Sequence, residues 1–213
     1  AGARCPEVTY YRRDEALPAS TVLRNDGEYA WRHGVNLDVH KRMAGGWMFD
    51  MSLAWNTAAW YFPRPTFDYT DPTNIAQRNG TEYSVPRSHW VVEASGSARL
   101  PWGFTTAAAF VIRQGLPYAR GVTSPNRGVL GSTVVEIDRY GAERYPTVSG
   151  LDWQIDRAFR AGRVKVVPAL HVSNVLNSNT VLARNRVQNT SAANDVTRIV
   201  APRLVHIGAS VTF

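Results

Sequence analysis

The chain has 213 residues, room for one sizeable domain, and 44% of them are hydrophobic. No run approaches the roughly 18 unbroken apolar residues of a membrane helix, which excludes a helical membrane protein. A membrane barrel stays open, because barrel strands alternate and average out as weakly hydrophobic. The 24 Lys and Arg against 17 Asp and Glu give a net charge of +7, compatible with acidic ligands, lipopolysaccharide phosphates or nucleic acid. The Arg residues are scattered rather than clustered, which argues against nucleic acid. Cys5 is alone, so there is neither a disulfide framework nor a thiolate metal site. The chain starts at Ala1 without an initiator Met or a charged-then-apolar leader, which reads as a mature product or a piece of something longer.

Residues 8–13, VTYYRR, read as a short strand or the end of one, and 14–28 as a loop rich in turn formers. From Tyr29 the alternation is long. Tyr29, Trp31, Val35, Leu37, Val39 and Met43 share one parity, and Arg32, Asn36, Asp38, His40 and Arg42 the other. Ala44-Gly45-Gly46 predicts a tight turn, since glycine supplies the positive φ that hairpins demand. Trp47, Phe49, Met51, Leu53 and Trp55 then alternate with Asp50, Ser52 and Asn56. Residues 29–60 are therefore a hairpin whose arms exceed the roughly nine to eleven residues a tilted strand needs to cross hydrocarbon.

Residues 61–88 are aperiodic and read as a long loop. The second hairpin sets Trp90, Val92, Ala94, Ala98 and Leu100 against His89, Glu93, Ser95, Ser97 and Arg99. It turns at 101–103 and returns through Phe104, Thr106, Ala108, Phe110 and Ile112. Another long loop covers 116–146, with a local strand over 134–138. A third hairpin pairs 147–159 with 163–175 around a turn at 160–162, with Leu151, Trp153, Ile155 and Phe159 opposed to Asp152, Gln154 and Asp156. On its second arm Val164, Val166, Leu170 and Val172 oppose Arg163, Lys165, His171 and Ser173. After a loop at 176–201, the alternating tail PRLVHIGASVTF reads as a barrel-closing strand ending on Phe213.

Connections at 44–46, 101–103 and 160–162 are short, and those at 14–28, 61–88, 116–146 and 176–201 are long. That one-sidedness predicts an all-β fold, an antiparallel transmembrane β-barrel segment of about eight long strands with short periplasmic turns and long extracellular loops. The lipid-facing set is Val35, Leu37, Phe49, Leu53, Val92, Phe110, Leu151, Ile155, Val166 and Leu170. The lumen-facing polar set is Asn36, Asp38, His40, Asp50, Glu93, Arg99, Asp152, Gln154, Asp156, Lys165 and His171. Lys41 and Arg157 fall on the lipid face but near short turns, where long cationic side chains reach headgroups. Tyr29, Trp31, Trp47, Trp90, Trp102 and Tyr145 fit aromatic girdles.

Several phrases match a known family in order and spacing: KRMAGGWMFDMSLAWN at 41–56, DPTN at 71–74, SHWVVEASGSARLPWG at 88–103 and GLPYAR at 115–120. LDWQIDRAF at 151–159, SNVLNSNTVL at 173–182 and the terminal APRLVHIGASVTF add to them. From about Tyr29 onward the chain resembles the C-terminal part of the barrel of an Oar-like TonB-dependent outer-membrane receptor. The resemblance implies a 22-stranded barrel with a plug and an N-terminal TonB box, of which this chain would be a C-terminal fragment without plug or TonB box. It implies transport of a siderophore, carbohydrate or peptide, with TonB engaged through the missing region. Outer-membrane lipid, lipopolysaccharide and the barrel-assembly machinery are the other implied partners. Ile207, Ala209, Val211 and Phe213 would be the signal that machinery reads.

No GxSxG, HExxH, CxxC, P-loop or GxGxxG is present. The five histidines are spread along the chain without an i, i+4 pair, and Asp68 and Asp71 match no calcium loop, so no cofactor, metal or enzymatic activity is expected. Asn174, Asn177 and Asn179 read as turn residues at a strand end. Two other readings stand beside the receptor: a complete eight-stranded outer-membrane barrel with a structural or adhesive role, and a secreted β-sandwich binding module.

Overall fold

Period-2 alternation with glycine at the reversals makes strands and hairpins. The computed structural model, which describes residues 29–61, 88–126, 131–138, 141 and 143–213, is all-β and antiparallel. Strands β1 (Tyr29–Ala44) and β2 (Trp47–Tyr61) form the first hairpin, and β3 (Trp90–Arg99) and β4 (Phe104–Arg113) the second. Four short strands follow: β5 (Pro117–Tyr118), β6 (Gly121–Thr123), β7 (Val134–Glu136) and β8 (Glu143–Arg144). The third hairpin comprises β9 (Val148–Arg157), its short continuation β10 (Phe159–Ala161) and β11 (Val164–Ser173). A separate hairpin of β12 (Val181–Arg184) and β13 (Val196–Ile199) precedes β14 (Leu204–Thr212).

The main sheet is a meander in the order β1-β2-β3-β4-β9-β11-β14, with β10 also on β11. Gly45 and Gly46 take φ of +63° and +83°, the pair of positive values that a two-residue hairpin needs. The second reversal holds Trp102 and Gly103 at φ +61° and +78°. The third differs from expectation: 159–161 is still strand, paired with Val164–Val166, and the chain reverses at Gly162 and Arg163. β9 and β10 keep one register against β11 (Asp156 opposite Ala169, Phe159 opposite Val166), which sets Arg157 opposite Pro168. Proline has no N–H to give the ladder, and the strand breaks there.

Seven long strands are described where about eight were expected, and the run 8–13 lies outside the described residues. Among the described residues β1 and β14 are not paired with each other, and β14 pairs with β11 alone rather than closing a barrel. The other sheets are two-stranded loop hairpins, so among the described residues no second sheet is stacked on the first as in a sandwich. The expected loops 14–28 and 61–88 lie outside the described residues apart from positions 61 and 88.

Burial is concentrated at one end of the sheet. Ser88, Gly115, Pro117, Ala119, Gly121, Ser124, Val135 and Asn174 are the described buried residues, all at the end where the long loops emerge. Replacing Gly45 and Gly46 together with Ala puts two L-residues in the left-handed region, at about 1–2 kcal/mol each. A urea titration should show a lower midpoint for that double variant. Ala at Gly208, whose would-be Cβ meets nothing within 4 Å, should leave the midpoint unchanged.

Candidate functional site

Directly opposed residues on antiparallel strands share a face, so the register sorts every side chain of the sheet. Leu37, Leu53, Val92 and Ile112 stand in one cross-strand row, and Val39, Met51, Ala94, Phe110 and Leu151 in the next. Further rows of the same parity hold Val35 opposite Trp55, Phe49 opposite Lys41, Leu170 opposite Ile155 and Val166 opposite Val211, so all ten residues of the expected apolar set share one face. The other face carries Asp38, Ser52 and Glu93 in one row and His40, Asp50, Ser95, Ala109 and Asp152 in the next. A third row runs Met48, Ser97, Ala107, Gln154, His171 and His206. Asn36, Arg99, Asp156 and Lys165 complete the expected polar set on the same face, opposite Ala54, Thr105, Ala169 and Thr212.

The polar wall is concave. Asp38, His40, Asp50, Ser52, Glu93, Ser95 and Asp152 help line a hollow of about 590 Å³. A second hollow of about 330 Å³ lies over Ser97, Gln154 and His171. One cross-strand polar pair forms at His40, whose Nδ1 bonds the Asp50 carboxylate. Asp50 stands between His40 and Ser95, so the order is not the serine–imidazole–carboxylate relay of a hydrolase. The His171 and His206 rings stack with centroids 6.0 Å apart, a pairing that separate strands concealed in the sequence. Among the described residues no three His, Cys, Asp or Glu side chains gather as a metal would require. Asp68 and Asp71 lie outside the described residues.

Where the long loops emerge, the chain builds something its sequence hid. The segment 116–146, expected to be a loop with one local strand, carries two pairs of strands among its described residues: β5 pairs with β8 and β6 with β7. The segment 174–203 carries the β12–β13 pair, and the two segments are joined. Gly121 donates its N–H to the Arg186 carbonyl (2.9 Å) and accepts from the Gln188 N–H (2.8 Å), a parallel bridge. Asn189 mimics one more rung, accepting from the Thr123 N–H at 2.8 Å and donating to the Thr123 carbonyl at 2.9 Å. A Cβ at Gly121 would sit 2.6 Å from Val134 Cγ1 and 2.9 Å from the Val135 carbonyl, so only glycine lets the strands approach. Tyr145, expected in an aromatic girdle, belongs here instead: it stacks on Tyr118 at 4.5 Å and accepts from the Arg184 N–H at 3.1 Å.

Two charged or polar groups hold this body. Arg120 grips Asp138 with Nε at 2.7 Å and Nη2 at 2.9 Å, and its backbone N–H adds a third bond at 3.0 Å. Those bonds and the guanidinium charge hold the Asp138 carboxyl below the usual carboxylate range, and the carboxylate raises Arg120 further. Buried Asn174, expected in a turn, takes the left-handed conformation (φ +50°). Its backbone N–H donates to Asp152 and its side-chain amide to the carbonyls of Ser178 and Ala201. Asn177 turns in the same conformation and accepts from the Arg203 N–H. Asn174 thus ties the loop body to a carboxylate of the polar wall.

Comparisons with protein-family models, with curated proteins and with solved structures returned no match for this chain. The loop body carries a pH signature. Because the Asp138 carboxyl is depressed on folding, its stabilisation is complete above the ordinary aspartate pKa of about 4 and is lost as pH falls through the folded value. The near-ultraviolet dichroism of the Tyr118–Tyr145 stack should persist to below pH 4 and then collapse. In Asp138→Asn that acid step should be absent.

Proposed function

We propose that this chain is wall of an outer-membrane β-barrel, the C-terminal part of an Oar-like TonB-dependent transporter that carries a siderophore, carbohydrate or peptide. The observation that carries this reading is the state of the apolar face. Val35, Leu37 and Ile207 remain 59%, 54% and 85% exposed, in a sheet whose rows run unbroken over seven strands. Soluble monomers rarely expose apolar patches beyond a few hundred Å². Hydrocarbon is the surrounding that would satisfy a face this wide, with water on the Asp- and His-bearing side. Strand lengths of nine to sixteen residues suit that crossing. Short reversals at one end and folded long loops at the other have the polarity of such barrels.

In this reading Val35, Leu37, Phe49, Leu53, Val92, Phe110, Leu151, Ile155, Val166 and Leu170 meet lipid, while the polar set lines a lumen. Unpaired sheet edges are not viable in lipid, so β1 and β14 would each pair with further strands. Ile207, Ala209 and Val211, on the apolar face of β14, together with Phe213 would be read by the barrel-assembly machinery. TonB would act through a region outside this wall. Substrate would meet the loop body and the polar hollows, and the resemblance at 41–56, 88–103 and 201–213 supports the receptor class over a small adhesive barrel.

Heat-modifiable migration and recovery in the outer-membrane fraction test the proposal, and a monomer stable in water without detergent would refute it. Arg at Leu53 or Leu170 should cost about 2–4 kcal/mol if placed near the bilayer midplane. Insertion yield should therefore fall far more for Leu53→Arg and Leu170→Arg than for Ser52→Arg or Ser97→Arg. Equal losses on the two faces would sink the assignment.

A further inference from the structure

The apolar face is not smooth. Over β3 and β4 the side chains shrink to Ala94, Gly96, Ala98 and Ala108, opening a groove of about 560 Å³ between Trp47 and Phe49 on one side and Trp153 on the other. The one polar pair in its lining is closed on itself: Trp153 Nε1 donates to Thr106 Oγ1 at 2.8 Å, and that hydroxyl donates to the Gln154 carbonyl at 3.0 Å. What remains open is carbon. A volume of this size is typical of a small-ligand site.

Charge on this face is one-signed. The five acidic residues of the sheet, Asp38, Asp50, Glu93, Asp152 and Asp156, all stand on the polar side by register. Lys41 and Arg157 stand on the apolar side, and both cationic heads lie at the short-turn end of the groove. The Lys41 ammonium sits 3.7 Å from the centroid of the Trp47 ring and bonds the Ala44 and Trp47 carbonyls. The Arg157 guanidinium lies over Phe104 and Phe159, at 5.1 and 4.7 Å. Trp47 belongs to β2, and Phe104 and Phe159 to β4 and β10, so the two heads lie on opposite sides of β3, the strand of Ala94, Gly96 and Ala98.

We propose that this groove holds an acyl chain of an anionic glycerophospholipid whose headgroup phosphate lies between Lys41 and Arg157. The inference rests on the membrane-wall reading and sharpens it from lipid in general to one lipid at one place. A zwitterionic lipid would leave the two cations without a net countercharge. Lipopolysaccharide would approach from the opposite, long-loop end.

The test uses the full chain recovered from the outer-membrane fraction, with heat-modifiable migration scored first so that failure to insert is read separately as failure of the wall reading. Inserted protein in mild detergent is then titrated with phosphatidylglycerol, phosphatidylethanolamine and lipopolysaccharide, and bound lipid is counted by native mass spectrometry. Phosphatidylglycerol should be retained preferentially. Lys41→Gln and Arg157→Gln should each weaken its retention about fivefold. Lys165→Gln, which removes a cation from the opposite face, should not. Ala98→Leu with Ala108→Leu should fill the groove and reduce retention while migration stays heat-modifiable. Equal retention of phosphatidylethanolamine, preference for lipopolysaccharide, or inserted variants that bind like wild type would each overturn the proposal.

Discussion

Strand register is the constraint on which the rest of this structure depends. Side chains alternate with a period of two, so a slip of one residue between any two neighbours would carry every carboxylate beyond that point onto the apolar face. From β2 through β14 the rows run without such a slip, and the irregularity between Lys41 and Ala44 falls beside the first turn, where few rows follow it. The glycines at 45 and 46 and the reversal at Gly162 serve this register, since turn geometry sets which residues face each other.

The two ends of the sheet obey different rules. At the short end the chain reverses in two or three residues and leaves its side chains exposed, Trp102 at 80%. At the long end the chain supplies its own core, and Val135 is fully buried there. The parallel bridge at Gly121 and the paired bonds of Asn189 make two hairpins, 66 residues apart in sequence at Thr123 and Asn189, into one body. Asn174 fastens that body to Asp152. A ligand arriving at this end would meet a preformed surface, which lowers the ordering cost of binding.

Neither face of the sheet is complete without surroundings. The acidic hollow on one side is open to a polar surrounding, and on the other side Val35, Leu37 and Ile207 stand uncovered. Lys41 and Arg157 show how a cation is tolerated on the latter: each lies against aromatic rings near a turn rather than bare at mid-strand.

The strands, their pairing order and both faces were legible from alternation alone, because a period of two is a local property and the short turns leave each strand no partner but its neighbour. Leu53, Phe110 and Leu170 could be placed on one face, and Asp50, Glu93 and His171 on the other, without coordinates. The turn at 160–162 was misplaced because Arg160 and Ala161 are compatible with either state, and only pairing with Val164 and Lys165 decides for strand. The loops were opaque for the opposite reason: β5 to β8, β12 and β13 are two to four residues long, too short to show a period. Tyr145, Arg120 with Asp138, and Gly121 with Arg186 and Gln188 take their roles from contacts across distant sequence. Local residue chemistry determined the wall. Contacts between distant stretches, which no single stretch encodes, decided the loop body and the groove over Gly96.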